Sequence, residues 1–76
     1  MKLKEMRIAK GYSQKEFAEI VGINFRSYQN YEQGVRSIDN TDLATLLRIC
    51  ITLGCPINDI IENEYTLKLL DEYKLI

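Results

Sequence analysis

The chain has 76 residues, with ten Lys and Arg against eleven Asp and Glu, no histidine and a net charge of −1. That length holds one domain, near the size at which a single core gives only marginal stability. With only ten cations, non-specific binding to nucleic acid is expected to be weak, and the absence of histidine beside only two cysteines, Cys50 and Cys55, excludes a zinc site of known ligand spacing.

The opening MKLKEMRIAKG carries charges throughout, unlike a signal peptide, and no later apolar run approaches the about 18 residues of a membrane span. A cytoplasmic protein with no membrane partner is expected. Leu3, Met6 and Lys10 share one stripe with Arg7 beside it, and Gly11 follows, which predicts a first helix over Lys2–Lys10. Ser13-Gln-Lys-Glu16 has the form of a capping box, so a second helix runs from there to Val21 with Phe17, Ala18 and Val21 facing inward. Gly22 ends it, and Asn24 caps a third helix that continues to Gln33 before Gly34. Ala18 and Gly22 are small, as a close crossing of the second and third helices requires.

After a loop, VRSIDN, either Asn40 or Thr41 is suited to cap a fourth helix, whose apolar stripe is Leu43, Leu46, Leu47, Cys50 and Leu53. Cys50 and Cys55 read as small buried hydrophobes, because a reducing cytosol disfavours a disulfide. Pro56 suits the first turn of a fifth helix carrying Ile57, Ile60 and Ile61. In the tail YTLKLLDEYKLI, residues Tyr65, Leu69, Tyr73 and Ile76 fall within a narrow arc, which predicts a sixth, amphipathic helix. No strand pattern, repeat or linker interrupts this series. The fold class is all-α: a compact five-helix bundle over residues 1–62, with residues 63–76 as a tail rather than a separate domain.

On a helical wheel of the third helix, Phe25, Arg26, Gln29, Asn30 and Gln33 lie together, while Tyr31 points the opposite way with Tyr28 on its flank. Two tyrosines therefore pack inward. Outward stand amides able to bond adenine edges, a guanidinium able to do the same for guanine, and a phenyl ring able to touch a thymine methyl. A polar helix face alone is common. What is specific is the constellation over Ser13–Gly34: cap, alanine, glycine, apolar residue, second cap and inner apolar pair. It has the form of a helix-turn-helix, whose second helix enters the major groove.

The segments MRIAKGYSQKEFAEIVGI, SYQNYEQG and LLRICITLGCPINDII resemble the XRE or phage-repressor (Cro-like) helix-turn-helix family, and the resemblance covers Met6–Gly54 and leaves the tail aside. It implies a sequence-specific, double-stranded DNA-binding regulator of transcription, a repressor rather than an enzyme, acting as a homodimer on a palindromic operator. It also implies roles by position. Phe25, Arg26, Gln29 and Asn30 match the base-facing residues of the recognition helix. Gln14 matches a glutamine that contacts phosphate, Ser13 a capping residue that can do the same, and Arg36 a basic loop position beside the backbone, with Ser37 next to it. Arg7 and Glu32 match a buried ion pair between the first and third helices. Two features depart from the family: Phe25 replaces a polar residue, and the loop before the fourth helix is longer and lacks the usual proline.

Charge is unevenly spread. Residues 1–36 hold seven cations against four anions, and residues 37–76 hold three against seven. The basic end is the one with the proposed reading helix, and phosphate affinity follows cations placed at the backbone rather than net charge. No histidine, glycine-rich phosphate loop or paired nucleophile and base suggests catalysis, and no cofactor is implied. The competing reading is a protein-interaction module on the same fold, such as an antitoxin, which the acidic half and aromatic tail would suit. For the homodimer, Tyr65, Leu69, Tyr73 and Ile76 are the candidate contact residues; the alternative is a tail folded back on its own chain.

Overall fold

A computed structural model describes residues 2–76. Five α-helices follow in order: α1 (Lys2–Ala9), α2 (Gln14–Val21), α3 (Phe25–Gln33), α4 (Leu43–Leu53) and α5 (Glu64–Lys74), with no strand among the described residues. Short 3-10 turns occupy Ile38–Asn40 and Ile57–Asp59. The molecule is thus an all-helical bundle, as its patterning predicts.

The second helix is the hub, packed on both α3 and α4. Its start is the predicted capping box: Glu16 N donates to Ser13 Oγ at 3.1 Å, and Ser13 N donates to Glu16 Oε1 at 3.0 Å. Phe17, Ala18 and Val21 are buried on its inner face. Phe17 bridges Tyr12 and Tyr28 in tilted ring contacts at centroid distances of 5.9 and 5.3 Å, an arrangement that aromatic quadrupoles favour. Leu3, Tyr31, Ile38, Leu46, Ile49, Cys50, Leu53, Ile60 and Ile61 complete the core. Burial pushes the Cys50 thiol up to about 11, so at neutral pH it is a protonated core residue of low reactivity.

The turn between α2 and α3 depends on Gly22, whose φ of 78° is the left-handed conformation that side chains disfavour. Its conformation lets Ile23 N donate back to Ala18 O at 2.9 Å. A Cβ built on Gly22 meets nothing within 4 Å, so backbone conformation, and not the expected close helix crossing, is what selects glycine here.

Four expectations about the second half change. Asp42, not Asn40 or Thr41, caps α4, its carboxylate accepting from Thr45 N and from the Thr45 hydroxyl. Leu43 and Leu47 are exposed while Ile49 is buried, because α4 is apolar almost all round and its pattern does not select the inner face. The segment after Pro56 makes a single 3-10 turn instead of a fifth α-helix, so the tail supplies the fifth. Finally, loop residue Ile38 is a core residue, 1% exposed, and the 3-10 turn around it anchors the loop that the sequence leaves irregular.

The tail helix does fold back. Leu67 and Leu70 pack against the core, and Asn63 caps the helix by accepting from Thr66 N at 2.9 Å. Yet the predicted stripe of Tyr65, Leu69, Tyr73 and Ile76 is a different face and remains exposed, Tyr65 at 69% and Tyr73 at 71%.

Candidate nucleic-acid interface

The first turn of α3 is held by Asn24, whose Oδ1 accepts from Arg26 N at 2.9 Å and Ser27 N at 3.3 Å. Phe25 and Arg26 stand exposed on that turn, Gln29 and Asn30 are half-buried one turn later, and Gln33 is exposed near the end. Among the described residues Arg26 and Arg36 have no ion-pair partner, so both guanidinium groups stand free for an incoming acceptor.

Beneath this face lies a polar network joining three helices. Arg7 of α1 donates through Nε to Glu32 Oε2 at 2.6 Å and through Nη2 to Glu32 Oε1 at 3.1 Å. Its third branch, Nη1, reaches Tyr12 O at 2.7 Å. The Tyr28 hydroxyl also donates to Glu32, and Gln14 Nε2 donates to Glu32 Oε1 at 3.0 Å. Arg7 is 6% exposed and Glu32 7%. Buried charges are tolerated only when fully partnered, and here one carboxylate takes four donors.

The protonation states follow from those contacts. The hydrogen bond to Glu32 holds the Arg7 guanidinium above its ordinary value despite burial. Burial by itself pushes the Glu32 carboxyl up, but hydrogen bonds from Arg7, Tyr28 and Gln14 with the charge of Arg7 outweigh it, and the net shift is down. Burial pushes the Tyr28 phenol well up, reinforced by the Glu32 charge it faces.

The network reaches the surface through Gln14. While its Nε2 is engaged by Glu32, its Oε1 accepts from Gln29 Nε2 at 3.3 Å. Gln29 on α3 is therefore tethered to the first residue of α2, and its amide is oriented before any ligand arrives. Each amide nitrogen carries two hydrogens, so one donor on Gln14 and one on Gln29 stay available. At the same end, Ser13 Oγ accepts within the capping box, which leaves its hydroxyl proton free to donate. Glu16 completes the box, its carboxyl held below the usual range first by the Ser13 backbone N–H.

A helix-turn-helix family model matches residues 3–60, which span α1 to the second 3-10 turn. The chain belongs to the XRE-type helix-turn-helix family. Over 71 residues it is 34% identical to the SPbeta prophage-derived uncharacterized HTH-type transcriptional regulator YonR of Bacillus subtilis (strain 168). That alignment covers 93% of this chain and 63% of the relative, so the chain spans less than two thirds of that protein's length. No solved structure matches the chain.

Within this helix-turn-helix protein the residues singled out by sequence fall into three places. Ser13, Gln14, Phe25, Arg26, Gln29 and Asn30 belong to the α2–α3 unit, the last two partly sunk into it. Arg36 is exposed on the following loop, where the N–H groups of Val35 and Arg36 donate to Asn30 O at 3.0 and 3.3 Å. Ser37 beside it is half-buried and caps the 3-10 turn, accepting from Asp39 N at 3.2 Å. The tail stripe lies apart, on α5. The sequence did not single out Tyr28 as a partner of Glu32, although its i, i+4 spacing was the available signal. Nor did it single out Asp39, whose partners are 23 and 24 residues away. No helix among the described residues is long and apolar enough to cross a membrane.

Proposed function

We propose that this protein is a sequence-specific regulator of transcription, a repressor without enzymatic activity, that binds double-stranded DNA with α3 in the major groove. The observation that carries the reading is the free guanidinium of Arg26 beside Gln29 and Asn30 on a helix whose orientation is fixed by the Arg7–Glu32–Gln14–Gln29 network. Arg26, Gln29 and Asn30 are the donors and acceptors for base edges, with Phe25 as an apolar contact at the start of the helix. Ser13, Gln14, the first amides of α2, Arg36 and Ser37 hold the flanking phosphates. The name of the similar B. subtilis protein, a transcriptional regulator, supports the same reading.

One such helix reads only a few base pairs. A homodimer on a palindromic operator doubles the readout, with half-sites about 34 Å apart. The exposed stripe of Tyr65, Leu69 and Tyr73 on α5, continued by Ile76, is the surface we assign to that contact. The same stripe, with seven acids in residues 37–76, favours the second reading, a protein-interaction module such as an antitoxin. Selection from a random duplex pool separates the two. An enriched palindromic motif, with affinity falling steeply as salt rises, supports the regulator; no enriched motif refutes it and favours the interaction module.

A further inference from the structure

Asp39 takes no part in the interface described above, yet its carboxylate joins two distant parts of the chain. Oδ1 accepts from Glu62 N at 2.9 Å and Oδ2 from Asn63 N at 2.7 Å, immediately before α5. Asn63 is itself the cap of α5, so the tail helix begins at the point where Asp39 grips it. On its other side Asp39 N donates to Ser37 Oγ, and Ile38 plugs the preceding position into the core. Arg36 lies two residues further back, its own N–H bound to Asn30 O at the end of the recognition helix. An unbroken path of bonds thus runs from the end of α3 through Arg36, Ser37 and Asp39 to the start of α5.

We propose that Asp39 is a positioning residue for DNA binding: it clamps the phosphate-facing loop to the tail helix, so that Arg36 and Ser37 are fixed and the position of α5 is sensed at the phosphate contact. This rests on the DNA-binding reading above. The chemistry suits the task. A carboxylate accepting two adjacent backbone N–H groups resists rotation, and charged acceptors make the stronger hydrogen bonds. A free nine-residue connection between α3 and α4 would instead leave Arg36 to be ordered on binding, at an entropic cost to affinity.

The test compares the full chain with its Asp39→Ala and Asp39→Asn variants, using the duplex recovered by selection. Asp39→Asn keeps the size and one accepting oxygen, and serves if Asp39→Ala does not fold. The clamp predicts faster amide exchange at Glu62 and Asn63, and also at Val35 and Arg36, in the protein without DNA. On DNA it predicts about tenfold weaker binding, the scale of one lost hydrogen bond to a charged group, and a salt dependence shallower by about one phosphate. In an Arg36→Ala background the Asp39 substitution should cost about threefold or less, since only the neutral Ser37 contact then remains to be ordered. Faster exchange confined to Glu62 and Asn63, or an undiminished loss in the Arg36→Ala background, overturns the proposal. A wild-type protein that binds no duplex refutes the DNA reading instead, and the exchange at Val35 and Arg36 then decides the clamp alone.

Discussion

Replacing Glu32 by glutamine is the sharpest perturbation this fold offers, because one atom change leaves a guanidinium stranded. Arg7 and Glu32 are both less than a tenth exposed, and Glu32 accepts from Arg7 twice, from Tyr28 and from Gln14. A glutamine in the same place has one accepting oxygen and presents N–H to donors on the other side. Removing one member of a buried pair costs about 3–5 kcal/mol, mostly from the uncompensated charge that remains. Since glutamine retains one acceptor and Arg7 keeps Tyr12 O, the lower end, about 3 kcal/mol, is expected for Glu32→Gln. A domain of this size has a total stability of roughly 4–11 kcal/mol, so the loss is a large fraction of the whole. It corresponds to a fall in melting temperature of more than about 10 °C, measurable by far-UV circular dichroism. The double variant Arg7→Leu/Glu32→Leu should recover part of the loss, because it strands no charge. A Glu32→Gln protein melting within about 2 °C of wild type refutes the reasoning, as does a double variant less stable than the sum of the single ones.

Gln29→Ala and Asn30→Ala should each lose about 1–3 kcal/mol of discrimination between cognate and altered base pairs, measured by competition binding, while Gln14→Ala weakens all duplexes and, by releasing the Gln29 amide, relaxes discrimination only at the base pair Gln29 reads; Gln29→Ala and Asn30→Ala variants that weaken all duplexes alike would place a different face on the DNA. Leu69→Glu with Tyr73→Glu charges the exposed stripe but leaves Leu67 and Leu70 in the core, so sedimentation should show monomers of unchanged helicity; a dimer that persists moves the contact elsewhere. Stability should also vary at both ends of the pH range. The folded Glu32 carboxyl is lowered, so its contribution is present above its unfolded value of about 4.3 and is lost as pH falls through the folded value. The Tyr28 phenol is raised, so its contribution is full below about 10 and is lost as pH rises beyond it. Thermal melts of Tyr28→Phe against wild type check the alkaline arm, which the variant should flatten.

Local chemistry set what the sequence could determine. The capping box at Ser13 and Glu16, the Asn24 cap, the glycine stops at Gly22 and Gly34 and the inward Phe17, Tyr28 and Tyr31 involve neighbours within one or two turns, so residue order specifies them. The α2–α3 unit and the set of residues on its outer face were legible for that reason. The Arg7–Glu32 pair was reached only through resemblance to a family, since nothing local links residues 25 apart.

Tertiary structure decided the rest. A nearly all-apolar α4 can bury any face, and only packing against α2 puts Ile49 inside and leaves Leu47 out. In the tail, Leu67 and Leu70 and the tyrosine stripe are both apolar faces of one helix, and periodicity ranks neither as the inner one. The coupling of Gln29 to Gln14 and Glu32, and the grip of Asp39 on Glu62 and Asn63, need groups far apart in the chain to meet at about 3 Å. A hydrogen bond depends on distance and direction in space, and a linear pattern carries neither until the core has brought the helices together.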